Sequence, residues 1–268
     1  MTAPVQADSQ LAQSTLLMKV RGMTMSYGSG TAENKILENL DLDVNTGEFI
    51  SIVGPSGVGK TTLLRCLSGL LHPKAGTIEV GGAIIDGPHP DLAVVFQDYS
   101  RSLMPWMTTR ENVAFPLQGK GMNKADRIRV AEENLAAVGL AGQGGKYPWE
   151  MSGGMQQRVA IARALAYNAK VLLMDEPFAS VDAQTRFDLE DLVIKLKQEF
   201  GVTILLVTHD IDEALYLADK VVVIAEKPAT VVDVIVTGFG EERDQVDTKA
   251  DPRFGEARAR ILHRLRKN

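Results

Sequence analysis

A chain of 268 residues, 45% hydrophobic and 24% charged, has the make-up of a folded globular protein, long enough for one large α/β domain or a core with a subdomain. A formal charge of -5, from 29 basic and 34 acidic residues, argues against non-specific nucleic-acid binding as its main task. A single cysteine, Cys66, excludes an intrachain disulfide and a thiolate metal cluster, and no window approaches the ~18 consecutive apolar residues of a spanning helix, so any work at a membrane is expected from outside the bilayer.

Residues 1–14, MTAPVQADSQLAQS, lack the basic start and apolar run of a signal peptide and read as a flexible lead-in. Residues 16–20 are strand-like and are followed by polar turns through Gly22 and Gly28 to Gly30. Tyr27 falls in that Gly/Ser-rich stretch, either as a surface turn aromatic or as a platform on which a flat base stacks. Leu37, Leu40, Leu42 and Val44 suit a half-buried strand that ends at Asn45-Thr46-Gly47.

Next comes the stretch that sets the chemistry. The apolar run 50–53 leads into Gly54-Pro55-Ser56-Gly57-Val58-Gly59-Lys60-Thr61-Thr62, and Leu63, Leu64, Cys66 and Leu67 continue as an apolar helix. Strand, glycine-rich turn and helix in this order form a P-loop, whose inward N–H groups and helix N-terminus cradle phosphate oxygens. Lys60 is expected at the β- and γ-phosphates, the Thr61 hydroxyl on Mg²⁺, and Thr62 at the α-phosphate. Cys66, among apolar residues, reads as inert.

Residues 70–76 break that helix, 77–80 resemble a strand ending at Gly81-Gly82, and a short apolar segment follows at Ile84-Ile85. The continuous apolar run 92–96 reads as a strand buried on both faces that delivers Gln97 at its exit, where open α/β sheets place ligand-facing groups. Residues 98–112 carry Tyr99, Leu103, Met104, Trp106 and Met107 on a Pro-containing linker, read as core filling or, more pointedly, as a docking surface for another chain. Asn123 caps a helix with Ile128, Ala131, Leu135 and Val138 at helical spacing, stopped by Gly139, and another helix starts after Ser152. Residues from about 110 to 165 thus read as a helical subdomain inserted in the core.

Residues 171–175 form a buried strand with Asp175 and Glu176 at its exit. Neighbours on a strand cannot point alike, so Asp175 is assigned to the anchoring of Mg²⁺ and Glu176 to the attacking water. Phe187, Leu189, Leu192, Val193 and Leu196 line an amphipathic helix, 203–207 is another buried strand, and His209 stands at its exit, able to hold γ-phosphate and water in register. Gln97 is read as a γ-phosphate sensor that also touches metal-bound water. Helix 211–218 leads to strand 221–224, an alternation that predicts a mainly parallel sheet. Residues 231–236 suit an edge strand, and a closing helix carries Arg258, Ile261, Leu262 and Leu265, with Arg260, Arg264 and Lys267 on a solvated face.

Ser152, Gly153 and Gly154 form a second anion site, a capped helix start with exposed N–H groups. One chain with two phosphate-shaped features suggests a two-fold dimer in which each nucleotide is shared.

These residues resemble the ATP-binding cassette transporter ATPases over about residues 16–225, with GPSGVGKTT similar to Walker A, VLLMDE to Walker B and MSGGMQQRVAIARAL to the cassette signature. The resemblance implies an α/β fold: a P-loop NTPase (RecA-like) core, an N-terminal antiparallel β subdomain and an inserted α-helical subdomain. It implies an ATPase domain at 16–235, the helical subdomain at about 98–165, and a short extension at 236–268 ending in a helix. It makes Tyr27 the adenine-stacking aromatic, Gln97 the Q-loop, Ser180 to Asp182 the D-loop and His209 the switch histidine, with ATP and Mg²⁺ as ligands. Three positions depart from the family pattern: Met151 and Met155 in the signature and Val181 in the D-loop.

Residues 103–108 and 111–113 are further similar to the nitrate/sulfonate/taurine importer ATPases. That implies a second copy of the chain, integral-membrane permease subunits docked near 98–112, an indirect solute-binding protein, and a peripheral place on the cytoplasmic face of the inner membrane. A transporter for a different substrate is one alternative, and soluble cassette proteins of translation, repair or regulation are the other. They usually carry two cassettes in one chain or a long coiled-coil insertion, and neither is present in the sequence.

Overall fold

The structure, a computed structural model, describes residues 15–28, 30, 33–98 and 102–266. The expected flexible lead-in at 1–14, Tyr99 of the expected docking linker and Lys267 of the closing helix lie outside the described residues.

Strand β3 (Phe49–Val53) is buried throughout, as are β7 (Val171–Asp175) and β8 (Thr203–Thr208). With β6 (Leu92–Val95), β9 (Lys220–Ala225) and β10 (Thr230–Val236) they make a six-stranded sheet in the order β10-β9-β3-β8-β7-β6. All neighbours are parallel except β10, which returns antiparallel along β9 as the expected edge strand. The period of two divides β3 between two cores. Phe49 and Val53 face one that includes Leu206, Val223 and Tyr216, while Ile50 and Ile52 face the other with Leu205, Val207 and Ile224. A fully buried side chain of this kind stabilises by about 1.5–3 kcal/mol, so apolar runs rather than alternation mark these strands.

The second core is shared with helix α1 (Lys60–Leu67) and with an antiparallel sheet in the order β2-β1-β4-β5. Its members are β1 (Leu16–Tyr27), β2 (Asn34–Asn45), β4 (Ala75–Val80) and β5 (Ala83–Ile84). Here β1 departs from expectation. It does not turn at Gly22 but runs on to Tyr27, taking up the irregular residues as bulges between Val20 and Met23 while Met23 and Met25 stay in the core.

The first core is covered by helices. Residues 109–166 hold α2 (Thr109–Ala114), α3 (Lys124–Ala137) and α4 (Gly153–Ala166), packed on one another and, through α4, on β6. Thr108 and Glu111 close a reciprocal capping box on α2, and the Asn123 side chain accepts the Asp126 N–H at the head of α3. Strand β6 is the outer strand of its sheet yet contributes to both faces, Leu92 to one core and Val95 to the other, and the expectation fails only past its end, where Phe96 is exposed.

Helices α5 (Ala183–Phe200) and α6 (Ile211–Leu217) lie on the same side, followed by the short α7 (Asp247–Ala250) and α8 (Pro252–Arg266). Phe254 and Ile261 of α8 join the first core. The basic residues of α8 are exposed but not merely solvated. Arg260 and Arg264 hold Asp233 of β10, and Arg258 holds Asp212 of α6. Among the described residues, no helix is long and apolar enough to cross a membrane.

Candidate nucleotide site

The parallel register brings the strand exits together. Val53 is opposite Thr208, Asp175 opposite Val207, and Val95 opposite Met174, so the residues that follow each strand emerge side by side. This is the rim at which open α/β sheets bind ligands.

From β3 the chain makes the glycine turn, with Pro55, Ser56 and Gly57 exposed at its mouth. Gly59 heads α1 at φ 116°, a conformation that any Cβ would strain. Lys60 is buried, and its Nζ donates to the carbonyl oxygens of Gly54 (2.9 Å) and Pro55 (3.1 Å). Burial pushes the Lys60 pKa down, and the Glu176 and Asp175 carboxylates oppose that shift. Thr61 Oγ1 donates to Asp175 Oδ1 at 3.3 Å.

Asp175 is 5% exposed and, among the described residues, has no Lys or Arg within ion-pair distance. Burial raises its pKa; the Thr61 hydrogen bond opposes the shift. Glu176 lies beyond the strand at φ 42°, its N–H bonded to Val207 O at 2.8 Å. Three groups converge on its carboxylate. Gln97 Nε2 donates to Oε2 at 3.2 Å, His209 Nδ1 stands 3.1 Å from the same oxygen, and Lys60 Nζ is 3.9 Å from Oε1. Gln97, Glu176 and His209, predicted separately at three strand exits, thus touch.

Tyr27 is not in a turn but is the last residue of β1, 44% exposed. Ser152 caps α4, accepting the Met155 N–H at 3.3 Å, with Gly153 half-buried and Gly154 buried against Thr185. Asp182 caps α5, its carboxylate accepting the Thr185 N–H (3.0 Å) and hydroxyl (2.6 Å), bonds that hold its pKa down. Among the described residues, no hydrogen bond or ion pair joins 152–154 or Asp182 to the loop 54–62. Each chain therefore has one set of groups around Lys60 and a separate set at the head of α4.

With this geometry in place, comparison with known proteins is decisive. A family model described as ABC transporter matches residues 37–179. The chain belongs to the ABC transporter family. It is 39% identical to the taurine import ATP-binding protein TauB of Escherichia coli (strain K12), covering 93% of this chain and 97% of that one. It is 40% identical to the bicarbonate transport ATP-binding protein CmpD of Synechocystis, covering 92% and 88%. Among solved structures, a dimeric post-hydrolysis state of the ATP-binding cassette MJ0796 bound to ADP and Pi aligns with TM-score 0.72 at 33% identity, over 82% of this chain and 99% of that one. This ABC protein is an ATP-hydrolysing, nucleotide-binding subunit with the P-loop core, N-terminal β subdomain and inserted helical subdomain of that fold.

Sequence reasoning missed several groups in this ABC subunit. Buried Asn112 holds the segment ahead of α2, its Nδ2 donating to the carbonyls of Met104 and Met107 (3.1 Å each) and its Oδ1 accepting the Met104 N–H (2.8 Å). Trp106 thereby stands 72% exposed on a fixed loop while Leu103 fills the core. Cys66 is buried as expected, its thiol pushed up to about 11 by burial. Glu190 and Glu213, both buried, left no trace in the apolar pattern.

Proposed function

We propose that two copies of this chain close head to tail around two Mg-ATP molecules and that their opening and closing power an importer. In each site, residues 54–62 hold the phosphates, Lys60 reaches the β- and γ-phosphates, and Tyr27 stacks on adenine. The partner copy supplies Ser152, Gly153 and Gly154 to the γ-phosphate, with Asp182 of the D-loop beside them. The separation of the two sets of groups within one chain supports this reading, as does the dimeric form of the MJ0796 cassette.

Glu176 orients the attacking water and takes its proton, while Gln97 and His209 keep the carboxylate and water in register. The observation that carries the proposal is the convergence of Gln97, His209 and Lys60 on that one carboxylate. Thr61 and Asp175 suit Mg²⁺: a hydroxyl and a buried carboxylate without a cation form a hard oxygen set, and Gln97 completes it through water. When bound, Mg²⁺ neutralises charge developing on the transferred phosphoryl group.

Relatives named for taurine import, nitrate import and bicarbonate transport support a small anionic or zwitterionic solute of the nitrate, sulfonate or taurine kind. Permease subunits dock on the loop that presents Trp106, a solute-binding protein acts indirectly through them, and nucleic acid has no part. The subunit works peripherally at the cytoplasmic face of the membrane. Residues 16–235 form the ATPase domain, and 236–268 an extension.

Glu176→Gln tests the site. Turnover is expected to fall by about 10²- to 10⁴-fold with ATP binding retained and a dimer trapped in Mg-ATP. Wild-type hydrolysis, or a monomer by light scattering under those conditions, would overturn the proposal.

A further inference from the structure

Directly ahead of Ser152 stands an aromatic pair that the nucleotide site leaves unused. Tyr147 and Trp149 stack face to face, their ring centroids 4.5 Å apart and their planes 7° from parallel. Trp149 is nonetheless 66% exposed, so Tyr147 covers one face of the indole and the other lies open.

The turn beneath holds the pair rigid. Pro148–Glu150 form a single 3-10 turn, and the Glu150 carboxylate reaches back to accept the Tyr147 N–H at 2.7 Å. The Met151 N–H donates to the Pro148 carbonyl at 3.2 Å, and Gln156 Nε2 of α4 donates to the carbonyls of Pro148 (2.9 Å) and Met151 (3.2 Å). Pro148 and Met151 are buried, whereas Trp149 and Ser152 are exposed. A platform held in this way gives up little side-chain freedom when a second flat group settles on it.

What it meets follows from where it stands. Three residues span at most about 10 Å, so Trp149 lies within that reach of Ser152. The reach is comparable with the stretch of triphosphate and ribose that separates a γ-phosphate from its base. The groove beside Trp106 is lined by Gly145 but, among the described residues, by neither Tyr147 nor Trp149, so the pair is not part of the surface assigned to the permease. Tyr27, one ring at the end of β1, can cover a single face of adenine and leaves the other to water.

We propose that Trp149 of one copy stacks on the adenine of the ATP whose phosphates sit in the other copy's glycine loop, so that the base is sandwiched between Tyr27 and Trp149 of two different chains. This rests on the shared-site reading given above. Trp149 contributes nothing to nucleotide binding by a single copy; it strengthens closure of the dimer on a nucleotide that carries a base.

The test uses the full chain carrying Glu176→Gln, titrated with Mg-ATP and followed by light scattering. Trp149→Ala should raise the Mg-ATP concentration at half-dimer by about 5- to 150-fold, the worth of one base–aromatic stack. Trp149→Phe keeps a flat ring and should stay within about threefold of the parent, whereas Trp149→Leu, equally apolar but without a π face, should behave as the alanine variant does. ADP lacks the γ-phosphate on which the copies close, and it should bind all of these variants alike. With Trp106→Phe added, Trp149 is the single tryptophan of the chain, and its emission should change over the same range of Mg-ATP in which scattering rises.

An unchanged midpoint in Trp149→Ala, the outcome expected if the ring serves a permease instead, overturns the inference. So does a leucine variant that dimerises as tightly as the phenylalanine one, or closure that leaves the Trp149 emission unmoved. Should Trp149→Ala fail to fold, the comparison of phenylalanine with leucine and the emission still decide. A Glu176→Gln parent that stays monomeric in Mg-ATP sinks the shared-site reading itself, a result distinct from a dimer that closes with Trp149 idle.

Discussion

Gly154→Ala measures how tightly the head of α4 is pressed against α5. A Cβ at this position would stand 2.4 Å from Thr185 Cγ2, whereas carbon atoms in contact sit about 3.5–4.0 Å apart, so one side must yield by more than about 1 Å. Thr185 is not free to rotate away. Its hydroxyl and N–H are both engaged by the Asp182 carboxylate, and turning the methyl aside breaks the hydroxyl bond. Overpacking of this kind costs about 1–3 kcal/mol, and replacing a helical glycine by alanine recovers at most ~1 kcal/mol. The expected net loss is about 1–2 kcal/mol, read as a lower urea midpoint at unchanged slope. Thr185→Ser removes the obstructing methyl but keeps the hydroxyl, so the double variant should regain most of the loss. The reasoning fails if Gly154→Ala unfolds at the wild-type midpoint, or if serine at 185 rescues nothing.

Lys60→Ala should weaken ATP binding at least tenfold in a nucleotide titration, about 1.4 kcal/mol, because the buried ammonium is the cation nearest the Glu176 carboxylate in the loop; an unchanged titration would remove Lys60 from the site. Asp175→Asn should abolish hydrolysis yet stabilise the nucleotide-free fold. The folded-state pKa of Asp175 is raised above its unfolded value of 3.8, so its burial costs stability that grows as pH climbs through that value. The stability gap between Asn variant and wild type should therefore close in acid and widen toward neutrality in denaturation series, and a pH-independent gap would contradict this. Thr108→Ala removes the capping box of α2 and should cost about 0.5–2 kcal/mol in thermal unfolding while leaving nucleotide binding intact. It should also loosen the loop bearing Trp106, seen as a change in Trp fluorescence.

What could be read from the chain beforehand was what depends on local spacing. The glycine loop, the strand exits bearing Gln97, Glu176 and His209, and the caps at Asn123 and Ser152 involve residues close in sequence whose chemistry does not wait on distant partners. Misreadings arose where topology decides. The burial expected over 92–96 holds for Leu92 and Val95 but not for Phe96, which lies past the end of the outer strand, and Gly22 signals a turn unless neighbouring strands absorb it as a bulge. Glu190 carries no mark of burial in the sequence because the residues of the tail that reach it, Gln245 and Lys249, are remote along the chain. Likewise, Arg260 and Arg264 find Asp233 only once α8 has folded back on β10.

The left-handed backbone at Glu176 is unfavourable for a side chain of its type by about 1 kcal/mol or more, and glycine or asparagine would sit there with less strain. A campaign of random mutagenesis scored on heat resistance alone would thus be drawn to this codon and would enrich sturdy proteins that no longer turn over. Any evolution experiment on this subunit needs catalysis in its screen from the first round.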